Sequence, residues 1–155
     1  MINNGIDPKA RLGIATRLYK LLADSYGLYL KTHSFHWNVT GPMFASLHLL
    51  FEQQYTELGT AVDSIAERVR TLGQKALGSY SAFAAVTDIK EDSGRLNTEA
   101  MIRALIDDQE IVIRSARALI PLASEACDEA TVDLLTQRVS IHEKNAWMLR
   151  SLLEE

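Results

Sequence analysis

Eight apolar residues between positions 47 and 72 fall at steps of 4, 4, 3, 4, 3, 4 and 3: Leu47, Phe51, Tyr55, Leu58, Val62, Ile65, Val69 and Leu72. At 3.6 residues per turn, these steps keep the side chains in one stripe down a single face of an α-helix. A β-strand needs a period of two, which this stretch lacks. A helix with one long apolar face is stable when other elements bury that face. The spacing predicts a helix from about Phe44 or Ser46 to Leu72, with Gly73 just past its end as the cap. The rest of the chain must then cover that stripe.

The same period recurs in three other places. From Lys9 to about Val39, Ile14, Leu18, Leu21, Leu22, Leu28 and Tyr29 recur at helical spacings. Asp7-Pro8 suits the entry to this helix, Asp as cap and Pro in the first turn. Gly41-Pro42 ends it. A third helix runs from about Asn97 to Glu125 through Met101, Ile102, Leu105, Ile106, Ile113, Ala116 and Ile120, and Pro121 should kink or interrupt it. A fourth starts at Asp128 and runs to about Leu153 through Val132, Leu135, Val139, Ala146, Leu149 and Leu152. Residues 74–96 form a long connection, with turn signals at Gly78, Ser79, Ser81, Ser93 and Gly94 and a short packed helix expected over Tyr80–Val86. Four long helices with one long connection, between the second and third, predict an all-α, ferritin-like four-helix bundle with a crossover. Residues 1–8 are expected to be a short flexible arm and 9–155 a single domain.

The formal charge of −4 argues against an electrostatic nucleic-acid binder. One cysteine, Cys127, permits neither an intrachain disulfide nor a cysteine metal motif, which suits a reducing compartment. The N-terminal residues lack the layout of a signal peptide, and no apolar run is long enough to span a membrane. The cytoplasm, nucleoid included, is the expected location.

Three of the four histidines lie around the junction of the first two helices, His33 and His36 at the end of the first and His48 at the start of the second. His48 and Glu52 share a helix face at i, i+4, and so do Asp63 and Glu67. Imidazole with carboxylate suits iron, zinc or manganese. Yet His48 and Asp63 are roughly 22 Å apart along the axis, and Glu52 and Asp63 about 16 Å. One ion bound at about 2 Å from each ligand cannot join them. A two-fold dimer with antiparallel second helices can. Pairing residues whose numbers sum to 115 sets His48 against Glu67, Glu52 against Asp63, and Thr56 against Gly59 at the dyad. Each dimer would hold two equivalent sites, and His36 could reach the one His48 serves. The in-bundle di-iron alternative needs Glu-x-x-His motifs, and the chain has none.

The run His36-Trp37-Asn38-Val39-x-Gly41-x-x-Phe44-x-x-Leu47-His48-x-x-Phe51, followed by Asp63-x-x-Ala66-Glu67-Arg68, closely resembles the Dps family, the miniferritins. The likeness extends more weakly over the whole chain, Trp147 included. It implies a dodecameric hollow shell with ferroxidase sites at two-fold interfaces, oxidation of Fe(II), typically with hydrogen peroxide, and storage of ferric mineral. It assigns His36 and His48 from one subunit and Asp63 and Glu67 from its partner as the catalytic ligands. Glu52 either bridges the metals or stands behind the ligands. It makes Trp37 a candidate electron donor, and Asp128, Glu129 and Asp133 candidates for an iron-entry pore. Zinc or manganese are possible substitutes for iron. His33 is a candidate accessory ligand, His142 is expected to be structural, Tyr55 to belong to the core, and Cys127 to be a plain thiol.

The chain departs from the family name in one respect. Many members bind DNA through a flexible lysine-rich tail, whereas the first twelve residues here carry Lys9 and Arg11, and the sequence closes on Glu154-Glu155. A dodecamer would carry twelve times −4, about −48. Weak or absent DNA binding is expected at physiological salt. The competing functions are a nucleoid-compacting protein and a helical oligomer that binds metal without redox turnover.

Overall fold

A computed structural model of the chain describes residues 2–154. Its helices are α1 (Pro8–Asn38), α2 (Phe44–Thr71), α3 (Tyr80–Ala84), α4 (Thr98–Glu125) and α5 (Glu129–Ser151), with no strand among the described residues. The Asp7 carboxylate accepts from the amides of Lys9 and Ala10 and so caps α1, with Pro8 in its first turn. At the end of α2 the Gly73 amide donates to the Arg70 carbonyl and that of Gln74 to Val69, while Gly73 takes a φ of +92°. That pair of bonds is a Schellman ending, and glycine adopts the required left-handed conformation without a Cβ penalty. Asn97 caps α4 and Asp128 caps α5.

α1 packs along α2 and α4 along α5, and the two pairs meet through α1 on α4 and α2 on α5. Leu47, Phe51, Leu58, Ile65, Val69 and Leu72 of the stripe are buried in the shared core, with Ile14, Leu18, Leu22 and Phe35 from α1 and Ile102 and Leu105 from α4. Tyr55 and Val62 are half-buried instead. α4 runs through Pro121 without interruption, so of the expected kink or interruption the second does not occur. Pro121 cannot donate to the Arg117 carbonyl, but Arg117 is exposed, so water can serve that oxygen. Beyond it, Ala123 is fully buried and holds the final turn in place.

The crossover is tied down by one buried charge. Asp24 of α1 is inaccessible to solvent and accepts from Thr87 Oγ1, the Asp88 amide, Ser115 Oγ and Lys20 Nζ. A buried carboxylate is tolerated when its lone pairs are filled in this way. Thr87 and Asp88 are thereby fixed against α1, and Ser115 brings in α4. Ahead of α1, the Arg11 guanidinium donates to the Ile2 carbonyl and to Asn4 Oδ1.

Candidate metal centre

His36 lies in the last turn of α1 and His48 early in α2, on either side of the Gly41-Pro42 turn. The antiparallel packing of the two helices brings the imidazoles face to face, 3.8 Å between centroids and 16° between planes. His36 Nδ1 lies 2.8 Å from the His48 carbonyl oxygen, and His48 Nδ1 lies 2.8 Å from that of His36. A carbonyl oxygen can only accept, so each Nδ1 carries the proton and donates it. In the neutral ring each Nε2 is then left with a lone pair, the form in which imidazole binds a metal. The last carbonyls of α1 have no partner within the helix, which leaves the His36 oxygen open to His48, while the His48 oxygen lies within α2.

The carboxylates are elsewhere. Glu52, Asp63 and Glu67 are exposed along α2, which is unbroken, so His48 and Glu67 are about 28 Å apart along its axis. Among the described residues, no three His, Cys, Asp or Glu side chains come together to hold a metal ion. The exposed face of α2 carries an open groove of about 470 Å³ lined by Leu49, Glu52, Gln53, Thr56, Glu57 and Thr60. Leu49 is 57% exposed there, apolar surface left uncovered by the chain's own fold. Gly59, which the spacing sets at the dyad, also has a neighbour within the chain. A Cβ at Gly59 would sit 3.3 Å from Tyr29 Cε2, so its small size serves close packing of α2 on α1 within the chain.

Around the histidine pair lies a stack of rings. His33 sits 4.0 Å from Trp37 and 4.2 Å from Tyr55. Tyr55 meets the His36 ring edge-on at 5.2 Å and 71°. Tyr55 was expected in the core on the strength of the stripe; it is half-buried and belongs to this cluster. The signal was present in the sequence, since His48, Glu52 and Tyr55 follow at i, i+4 and i+7 and so share one side of the helix.

His142 lies far from these residues in sequence, in a buried network of its own. Its ring contacts Gln109 Oε1 through Nδ1 and Arg138 Nη2 through Nε2, and Arg138 is paired with Glu57. Cys127 is exposed in the α4–α5 turn at a φ of +53°.

The three acidic residues at the start of α5 part company. Glu129 and Asp133 are exposed. Asp128 is buried; its carboxylate pairs with Arg68 at 2.6 Å and accepts from the Thr131 amide and hydroxyl. Asp128→Ala removes both a helix cap and one partner of a mostly buried ion pair. It should lower the unfolding free energy by about 2–4 kcal/mol, measured by guanidinium denaturation. An unchanged denaturation midpoint would free this carboxylate for a role outside the fold.

Residues 15–155 match the ferritin-like domain family. DNA protection during starvation protein 2 of Bacillus anthracis is 37% identical, over 89% of this chain and 94% of its own length. A low temperature-induced protein of Nostoc sp. is 42% identical, over 99% of this chain and 87% of its own. The crystal structure of the DPS protein from Vibrio cholerae O1, described as a member of a broad superfamily of ferritin-like diiron-carboxylate proteins, superposes with a TM-score of 0.93. It is 33% identical and covers 99% of this chain and 98% of its own.

Proposed function

This chain belongs to the Dps miniferritin family of ferritin-like proteins, and from that premise we propose that it is a ferroxidase and iron store whose sites are completed by a second copy. Membership supports iron handling and protection against oxidative damage in general. The finer reading is that His36 and His48 of one subunit and Asp63 and Glu67 of its partner bind Fe(II), with Glu52 beside them. Two Fe(II), one hydrogen peroxide and two protons give two Fe(III) and two waters. Ferric mineral then collects inside a dodecameric shell, with Glu129 and Asp133 as the exposed acids at the candidate pore.

The observation that carries this is the imidazole pair. Both rings are held by reciprocal hydrogen bonds through Nδ1, which leaves Nε2 of each as the nitrogen for a metal, while the exposed carboxylates lie too far along the same helix to join them.

The direct test is to load the protein anaerobically with Fe(II), add peroxide and follow ferric absorbance. One peroxide should be consumed per two Fe(II), and light scattering should report twelve chains of 17.3 kDa. Metal binding without any ferric absorbance would instead favour the zinc- or manganese-binding oligomer.

Protection is proposed to act through iron and peroxide rather than by coating DNA, with the protein in the cytoplasm; no helix among the described residues is long and apolar enough to cross a membrane. Of the two cations near the N-terminal end, Arg11 is buried and engaged with Ile2 and Asn4. Phosphate contacts need clustered, free Lys and Arg. In a gel shift at physiological ionic strength the assembled protein should leave duplex DNA unretarded; tight retardation there would point to nucleoid compaction.

A further inference from the structure

A second cluster of charges lies away from the histidine pair, where α1, α4 and the crossover meet. Arg17 and Lys20 of α1, Arg114 and Ser115 of α4 and Asp88 of the crossover line an open pocket of about 280 Å³. Ligand pockets usually measure about 300–1,000 Å³, so this one suits a small ion. Three cations and one carboxylate line it, in a chain whose formal charge is −4. A recess lined mainly by one sign of charge concentrates ions of the other.

The cations are not equally free. Lys20 Nζ lies 2.6 Å from Asp24 Oδ2, 2.8 Å from Asp88 Oδ2 and 3.3 Å from Ser115 Oγ, so its three protons are engaged. Arg114 meets Glu110 at 3.6 Å, a loose pair open to solvent, and Glu110 also holds Arg150. The Arg17 side chain has no hydrogen bond or ion pair among the described residues. The two guanidiniums have N–H groups to give, and their planar forks match the oxygens of a tetrahedral oxyanion.

Asp88 is the group that can select among such ions. Its hydrogen bond to Lys20 first, then the charges of Lys20, Lys90 and Arg114, hold its pKa below the usual carboxylate value, so it is ionised at neutral pH. Oδ2 holds Lys20, while Oδ1 has no partner among the described residues. A carboxylate repels an oxyanion without protons but accepts from one that carries an O–H.

We propose that this pocket binds inorganic phosphate as the monohydrogen ion, with Arg17 and Arg114 donating to its oxygens and its O–H donating to Asp88 Oδ1. Sulfate has the same shape and charge but no proton to give. A phosphate monoester has none either, above its second pKa of about 6. The site is independent of the ferroxidase reading. It also leaves duplex DNA unretarded, because a duplex needs contacts to many phosphates and one recess takes a single ion.

The test is calorimetric titration of assembled, iron-free protein at about pH 8, where monoesters are fully ionised, and at low ionic strength. Iron is left out because ferric mineral would itself take up phosphate. Phosphate should bind saturably. Sulfate and adenosine monophosphate should bind at least about tenfold more weakly, the cost of one unmade hydrogen bond to a charged group. Arg17→Gln combined with Arg114→Gln should weaken phosphate binding by at least about tenfold. Asp88→Asn should close the gap between phosphate and sulfate, because an amide can also donate. The crossover stays tied down in that variant, since the backbone amide of residue 88 is what donates to Asp24. Light scattering checks assembly, and Asp88→Asn decides the matter if the arginine variant fails to assemble. Sulfate bound as tightly as phosphate by wild type, or a gap that persists in Asp88→Asn, overturns the proposal. So does phosphate binding that is absent from wild type or unchanged by the arginine substitutions.

Discussion

Subunits carrying His36→Ala and His48→Ala, mixed one to one with subunits carrying Asp63→Ala and Glu67→Ala and then reassembled, should regain roughly a quarter of the wild-type ferroxidase sites. Each variant alone should be slower than wild type by at least about 100-fold, the upper end of what losing a mere supporting contact to a metal ligand costs. The recovery follows from symmetry. Random pairing makes about half of the dimers mixed. In a mixed dimer one site combines both sets of mutations, while the other takes intact histidines from one chain and intact carboxylates from its partner. The homodimers contribute nothing. If all ligands came from one chain, mixing would restore no activity, because every chain in the mixture is damaged. Ferric absorbance after peroxide addition measures the recovered fraction, with wild-type protein taken through the same reassembly as reference. No recovery despite full reassembly of the reference would sink the shared site. The test separates a shared site from a misfolded one, since two damaged folds cannot repair each other by mixing.

The stripe on α2 was legible because a run of Leu, Phe, Ile and Val at steps of three and four has one cheap solution. Gly73 was legible for a similar reason, since a helix ending in the left-handed conformation favours the residue without a Cβ. Periodicity failed where polar groups are buried. Gln54 lies 5% exposed on the inner face of α2, and Asp24 is wholly inside α1. A pattern rule assigns both to the surface, since nothing local announces the four donors that meet Asp24 from α1, the crossover and α4. At Pro121 the interruption that a local rule allows does not occur, and the buried Ala123 lies beyond it in the same helix.

The candidate site divides along the same line. That His36 and His48 would meet could be expected from two helices joined by Gly41-Pro42. That each ring is locked by the other's carbonyl could not, because it depends on how the two helices face each other. The acidic start of α5 looked like one group of three. Asp128 differs from its neighbours through its pairing with Arg68, sixty residues away in sequence. Tyr55 was absorbed into the core because an apolar stripe with one aromatic member reads as packing, and only its ring neighbours distinguish it.

Acid should weaken this protein through one histidine. His142 is 1% exposed, and burial first, then the positive charge of Arg138, pushes its pKa down from 6.5 to about 3. In the unfolded chain the ring takes up a proton below about pH 6.5, while in the fold it stays neutral to about pH 3. Between those values the unfolded state binds more protons, so stability falls as pH falls; above pH 6.5 the group contributes nothing to the slope. The full loss from pH 7 to pH 3 is roughly 4–5 kcal/mol, at about 1.4 kcal/mol per pH unit. Asp108 acts with the opposite sign. Burial raises its pKa against the pull of Lys31, so the folded state takes its proton first and gains stability as acid is added. The raw curve therefore mixes two trends, and the decisive comparison is with His142→Gln, an amide that does not titrate. Guanidinium unfolding at a fixed chain concentration should show His142→Gln less stable than wild type at pH 7, because the packing is disturbed. That gap should close, and the acid slope flatten by up to one proton, as pH falls toward 3. Parallel curves for the two proteins across this range would mean that His142 is already protonated inside the fold. Gln109, Arg138 and Glu57 would then have to accommodate a second positive charge, an arrangement at odds with the donor that Arg138 presents to His142 Nε2.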